Sequence, residues 1–394
     1  VENLIAPNVA DHAEETRDGT GTLYLDAEPV LGSISLPPER VKSIRLTAQS
    51  PLDVAISDLQ IIRRALPAAE IRTLTTLTRQ KRQTPSPNPA AFAQPPTALE
   101  PTLIAMTAQP GQSRAGRIEY CFTETTGQPG GTSSGWTPHP FFLDDALEPA
   151  TRYAYTVKVR DASGNVTAAS IPLEADTDTT RFQRLSDRFD AARDFLAQGV
   201  SGTVWDGFLG PDDSSAPEAI RAQDGVLRLQ SKGTVWDGGK PLGAFLYKLV
   251  PGDFVAQVRV ADYAGLDTRR VPGNNDGGLM VRLPEVAEAG PGEDLLQLNF
   301  FPIWNQGNMI TILDGGRRQM GNGLAWNAHR HLQIIRCGSL FWFRTSPDGA
   351  LWQNMPGSPV ERPDMAGQPL QVGLYHASYG NDSSHIAFAD FKLT

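Results

Sequence analysis

Leu295-Leu296-Gln297-Leu298-Asn299-Phe300-Phe301 is the stretch whose reading decides the fold. From Leu296 on, apolar and polar residues alternate, which is the period-two signature of a strand with two different faces. Leu296, Leu298 and Phe300 point one way, and Gln297, Asn299 and Phe301 the other. Upstream, Gly277-Gly278-Leu279-Met280-Val281-Arg282 is a second short apolar strand. Downstream, His331 to Arg344 reads as a strand, a Cys337-Gly338 turn and a strand. Ser346-Pro347-Asp348-Gly349-Ala350-Leu351-Trp352 then adds an Asp-Gly turn and one more strand. Short β-rich runs punctuated by Gly and Asp-Gly predict antiparallel sandwiches.

At 394 residues the chain is too long for one sandwich and suits two or three domains. Hydrophobic residues make up 40% and charged residues 20%, so most of it is expected to fold. The 37 glycines and 31 prolines favour turns over long helices. The net charge of −9 argues against a nucleic-acid partner, which needs clustered Lys and Arg. No apolar run approaches the length of a membrane span. No leader precedes Val1, and either cleavage or a start inside a longer chain accounts for that. Cys121 and Cys337 lie in strand-like runs of different units. Two free core thiols are expected, with a disulfide between domains as the alternative.

Taken in order, residues 1–64 are a short β-rich segment, with strands at Thr22-Leu23-Tyr24-Leu25, Ile34-Ser35-Leu36, Val41 to Ala48 and Leu52 to Ile62. Its end, Leu52 to Ile61, resembles the chain's own His385 to Leu393, as the end of another sandwich would. Residues 65–98 read as a stiff Pro-rich linker, carrying Arg79-Gln80-Lys81-Arg82, Pro85-Ser86-Pro87-Asn88-Pro89 and Pro95-Pro96. In residues 99–178, Tyr153, Tyr155, Val157 and Val159 share one strand face, and Asp161 to Asn165 form the following turn. The approach Leu147-Glu148-Pro149-Ala150-Thr151-Arg152-Tyr153 looks like the tyrosine corner of an immunoglobulin-like sandwich. This unit resembles a fibronectin type III domain of the bacterial secreted kind, which implies a spacer or interaction module.

Residues 179–394 hold six of the seven tryptophans. Gly202-Thr203-Val204-Trp205-Asp206-Gly207 recurs as Gly233-Thr234-Val235-Trp236-Asp237-Gly238, and these are expected on neighbouring strands with matched Trp and Asp side chains. Asp253 to Val260, Gly278 to Arg282, Ser346 to Trp352, and Val372-Gly373-Leu374 to Asp390-Phe391 fall in one characteristic order. In that order they resemble the concanavalin-A-like lectin/glucanase (laminin-G-like) sandwiches. The resemblance implies a two-sheet jelly roll, often sugar-binding, with some glycosidases among its relatives. The fold class expected is thus all-β, multidomain, with an immunoglobulin-like or fibronectin type III sandwich before a concanavalin-A-like jelly roll.

Sugar binding needs flat aromatic faces and planar polar groups. Gln297, Asn299, Trp304, Trp326 and His329 are the candidates for a glycan groove, against the alternative that the tryptophans fill the core. His329 and His331 could share a strand face, but no third residue at metal-ligand spacing follows. Acidic, oxygen-rich loops such as Asn274-Asn275-Asp276-Gly277 are weak calcium candidates, chiefly through Asn274 and Asp276. No cofactor is otherwise implied. The Glu-x-Asp-x-x-Glu strand of the glucanase relatives is missing, and there is no Gly-x-Ser-x-Gly elbow. The expected function is a non-catalytic carbohydrate-binding or accessory module of a secreted, periplasmic or cell-surface protein, with polysaccharide as partner. The alternatives are a structural subunit binding other proteins of a larger assembly and, third, a glycoside hydrolase.

Overall fold

The computed structural model describes residues 3–6, 10–15, 20–25, 28–35, 60–62, 69, 73 and 84–394, the last without 182–184, 210–217, 234–235, 237–242, 264–274, 285–292, 302–305, 314, 326–327 and 379–382. The protein is all-β and built from antiparallel sheets. The first sheet has five strands, in the spatial order Glu28–Ser35, Thr20–Leu25, Ala10–Glu15, Asn3–Ala6 and Gln60–Ile62. The expected strands over 41–48 and 52–59 lie outside the described residues.

A three-stranded sheet (Phe141–Asp145, Leu103–Ala108, Phe92–Glu100) faces a four-stranded one (Leu173–Asp176, Arg152–Asp161, Ile118–Glu124, Gly135–Thr137). The alternation along Arg152–Asp161 places Tyr153, Tyr155, Val157 and Val159 in the buried core between them. The Tyr153 hydroxyl donates to Pro129 O at 2.6 Å and accepts from Glu148 N at 2.9 Å, tying the strand to the loop before it. The Phe92–Glu100 strand begins inside the stretch read as linker. Pro95-Pro96 is tolerated there because this strand is the sheet's edge and its register shifts across the prolines.

The remainder is a second sandwich. Its ten-stranded sheet runs through Val226–Ser231, Ser384–Leu393, Phe254–Tyr263, His331–Cys337 and Leu340–Ser346. Its seven-stranded sheet runs Gly207–Leu209, Ala244–Val250, Leu370–Ser378, Asn275–Arg282, Leu295–Phe301, Gln306–Leu313 and Gly316–Ala325. The Cys337-Gly338 turn forms as expected, with Gly338 at φ 62°, where glycine pays no Cβ penalty. Leu296, Leu298 and Phe300 enter the core between the sheets with Leu279, Leu374, Phe388 and Phe343. Alternation alone therefore oriented the Leu295–Phe301 strand correctly. Leu103, Ala105, Phe141 and Leu143 of the first sandwich pack on Val255, Ile335, Leu340 and Trp342 of the ten-stranded sheet. One outer face of the second sandwich is thus packed on its neighbour, and the outer face of the seven-stranded sheet carries a buried cluster of its own, with Trp236, Phe245, Met280 and Tyr375.

The Trp-Asp repeat does not make matched neighbours. Trp205 lies in the core between the sheets, stacked on Phe189 and tilted against Phe391, with Nε1 donating to Asp187 Oδ2 at 2.9 Å. Trp236 lies on the opposite side of the seven-stranded sheet, edge-on to Phe245. Neither is within a strand, so strand pairing does not align the two copies.

Candidate functional site

On the outer face of the seven-stranded sheet, register sets the side chains in rows. One row runs Phe245, Tyr375, Gly278, Asn299, Asn308; the next runs Tyr247, Gly373, Met280, Gln297, Ile310. Aromatic rings therefore occupy one side, amides the other, and a glycine lies in each row. Glycine is required at both places. A Cβ on Gly278 would lie 2.1 Å from Leu298 O, and one on Gly373 would lie 2.0 Å from Leu246 O. The indole of Trp236 sits against Gly243 and joins the aromatic side.

Asn299 Nδ2 donates to Asp276 Oδ2 at 3.2 Å, and Gln297 Nε2 approaches the Met280 sulfur at 3.8 Å. Gln297 Oε1, Asn299 Oδ1 and Trp236 Nε1 are buried and have no hydrogen-bond partner among the described residues. A buried polar atom left unpaired costs about 1–3 kcal/mol, so three on one face form a concentrated cost that a polar ligand would relieve.

The sequence candidates are only partly brought together. Gln297 and Asn299 share the face as alternation required, but both are fully enclosed and do not line an open groove. The strand is internal to its sheet, and Gln297 and Asn299 are buried on its outer face as Leu296 and Leu298 are on its inner one. His329 is placed elsewhere: its Nδ1 lies 3.3 Å from Thr345 Oγ1, on the ten-stranded sheet. Trp304, Trp326 and Asn274 lie outside the described residues. Asp276 is buried and bonded by Asn299 rather than displayed in an open loop. No group of three or more His, Cys, Asp or Glu suited to a metal occurs among the described residues.

Sequence reasoning missed the aromatic side. Phe245, Tyr247 and Tyr375 occupy alternate positions beside Leu246 and Leu374, which face the core. That two-faced pattern was present in the sequence. It went unread because both faces are apolar and alternation shows only as ring against aliphatic. Also missed was a polar group between the sheets, where His376 bridges Ser231 and Asn275.

Two carboxylates flank this face. Glu293 is locked by Arg282, which bonds both of its oxygens and Gln371 Oε1 at 2.7 Å. Asp276 and Arg282 are at opposite ends of one strand, about 20 Å apart at about 3.3 Å per residue. The carboxylate pairs that cleave glycosidic bonds are about 5–9.5 Å apart.

No protein-family model matches the chain, and no curated protein matches it. Among solved structures, a mutant GH43 protein of Bacillus licheniformis superposes with a TM-score of 0.38 and 14% identity, over 74% of this chain and 50% of that one. A non-specific endo-β-1,3(4)-glucanase of family GH16 gives 0.33 and 10%, over 53% and 89%. A Lotus tetragonolobus seed lectin gives 0.31 and 10%, over 47% and 94%. The chain spans half the length of the GH43 protein. Likenesses this distant carry no weight beyond the sheets already described, and the chain is a multidomain protein of antiparallel β-sandwiches.

Proposed function

We propose that this chain is a non-catalytic glycan-binding or accessory module of a secreted, periplasmic or cell-surface protein. In this reading the second sandwich is a concanavalin-A-like jelly roll, and the first, residues 99–178 together with the start of the Phe92–Glu100 strand, is a fibronectin type III-like spacer. The observation that carries it is the face where Gln297 Oε1 and Asn299 Oδ1 lack partners beside Phe245 and Tyr375. Sugars offer both halves of the complement: hydroxyls for amide oxygens and C–H faces for rings. Because these side chains are enclosed, engagement requires local opening of the face. The spacing of Asp276 and Glu293 favours binding over hydrolysis at this face.

The test is retention of the full chain on immobilised plant, algal and microbial polysaccharides, with and without calcium. Asn299→Ala and Gln297→Ala are expected to weaken retention about tenfold each. Unchanged retention in both variants sinks the reading. A structural or interaction role is the second reading, favoured by the burial of Trp205, Trp236 and Trp342. A folded chain that binds no glycan but runs as a defined complex on native mass analysis would establish that role instead.

A further inference from the structure

We infer that the cleft between the two sandwiches is a second binding site, for a neutral, hydroxyl-rich ligand such as a short oligosaccharide, with Trp352 as its stacking surface. It stands on residues separate from those of the proposed glycan face.

Two cavities, of about 490 and about 430 Å³, share Glu100, Gln257, Gly349 and Trp352 in their walls. Each falls in the range of small-molecule sites, and domain junctions are where such sites concentrate. The cleft is composite. Glu100 and Asp145 come from the three-stranded sheet; Gln257, Gln333 and Arg344 come from the ten-stranded sheet. Trp352, half-buried, follows the Asp348-Gly349 turn and lies between the cavities, with Leu351 beside it 71% exposed.

The polar wall is pre-built. Arg344 is 5% exposed. Its guanidinium bonds Asp145 across the junction and Gln333 Oε1 at 3.4 Å, and Gln333 Nε2 reaches Gln257 Oε1 at 3.3 Å. The Arg344 Nε has no partner among the described residues. A buried guanidinium fixed on one side, with a donor unused, is what an incoming oxygen acceptor would complete.

The charge balance selects the ligand class. Glu100, Asp145, Asp348 and Asp390 face Arg188, Arg344 and Lys392 in these walls. Asp145 is spent on Arg344, Asp390 on Arg259 at 3.2 Å, and Asp348 on the turn amides of Ala350 and Leu351. Neither sign dominates, so a polyanion or polycation gains little. Planar donors and acceptors beside an indole suit a neutral polyol that stacks and hydrogen-bonds at once.

The test uses the full chain labelled with fluorotryptophan and followed by fluorine NMR, with the Trp352 signal assigned by its loss in Trp352→Phe. Cellohexaose and laminarihexaose are the neutral probes, and trigalacturonate is the anionic one. The Trp352 signal is expected to shift with a neutral probe, and Trp352→Ala, its binding read by isothermal titration calorimetry because that signal is gone, to raise the Kd by roughly tenfold or more with the circular dichroism unchanged. Trp352→Phe keeps a stacking ring and is expected to retain most of the binding, which guards against a folding artefact. If the Trp352 signal stays still at millimolar neutral probe, the proposal is overturned, even where other tryptophan signals move and the glycan face survives. Preference for trigalacturonate also overturns it. A Trp352 response that persists in Asn299→Ala and Gln297→Ala, with glycan retention unchanged in both variants, upholds the cleft while the glycan face falls.

Discussion

Phe141 and Trp342 meet edge to face across the junction of the two sandwiches, with ring centroids 5.7 Å apart at 89°. This is the favoured arrangement for two aromatic quadrupoles, and Trp342 is 1% exposed within it. The junction is therefore a small core shared by two domains. Trp342→Ala should cost about 3–5 kcal/mol. Calorimetry should show one cooperative transition for residues of both sandwiches in the wild type, separating into two in the variant. A single transition at unchanged Tm in Trp342→Ala would show that the junction contributes no coupling.

Arg282 and Glu293 form a bidentate pair with side chains 2% and 3% exposed. Removing one partner takes the counter-charge from a buried charge, at a cost of about 3–5 kcal/mol, whereas replacing both with apolar groups can be nearly neutral. Each single variant, Arg282→Met or Glu293→Leu, should therefore destabilise more than the double variant Arg282→Met, Glu293→Leu. Urea unfolding of the four proteins in the cycle checks this. A double variant as unstable as the sum of the singles would mean that the pair is not coupled.

How much of this was legible depended on where the physics acts. The strand Leu295–Phe301 was readable because its two faces differ chemically, Leu296 and Leu298 against Gln297 and Asn299. Turns at Cys337-Gly338 and Asp348-Gly349 were readable because glycine at positive φ is a local requirement. The enclosure of Gln297 and Asn299 was not, since burial of both faces depends on what the rest of the chain lays over them. The cleft at Trp352 was not legible either: Asp145 and Arg344 are 199 positions apart and meet only through domain packing. Trp205 and Trp236 mislead for the same reason, identical local sequence being sent to opposite sides of one sheet.

Cys337 is 1% exposed in the shared core, and burial pushes its thiol well above the usual range. Cys121 is half-buried on the other sheet of the first sandwich, and both cysteines are free. Only a thiolate attacks a disulfide reagent. Native protein should thus titrate at most one thiol with Ellman's reagent at pH 8, and the second should appear only in denaturant. In Cys121→Ser the native titre should fall to zero. A fast native reaction in that variant would show that Cys337 is accessible and the junction open.

His376 is fully buried between the sheets, with Nδ1 2.7 Å from Ser231 Oγ and Nε2 2.6 Å from Asn275 Oδ1. Asn275 Nδ2 donates to His385 O at 3.3 Å, which leaves Oδ1 as the acceptor. Nε2 then carries the proton, and Nδ1 accepts from the serine. Desolvation, and secondarily the charge of His385, lower the folded pKa from 6.5 to about 3. Between those values the unfolded chain binds a proton that the native state does not. Stability therefore rises with pH through this window and is lost as pH falls below about 6.5, at about 1.4 kcal/mol per unit. From pH 7.5 to 5 this group should remove about 2 kcal/mol. His331 and His385 are lowered too and contribute slopes of the same sign. The measurement is therefore the difference in urea-unfolding free energy between the two pH values, compared in wild type and His376→Gln. Wild type should lose about 2 kcal/mol more than the variant; equal losses would mean that His376 is protonated in the native state or not buried.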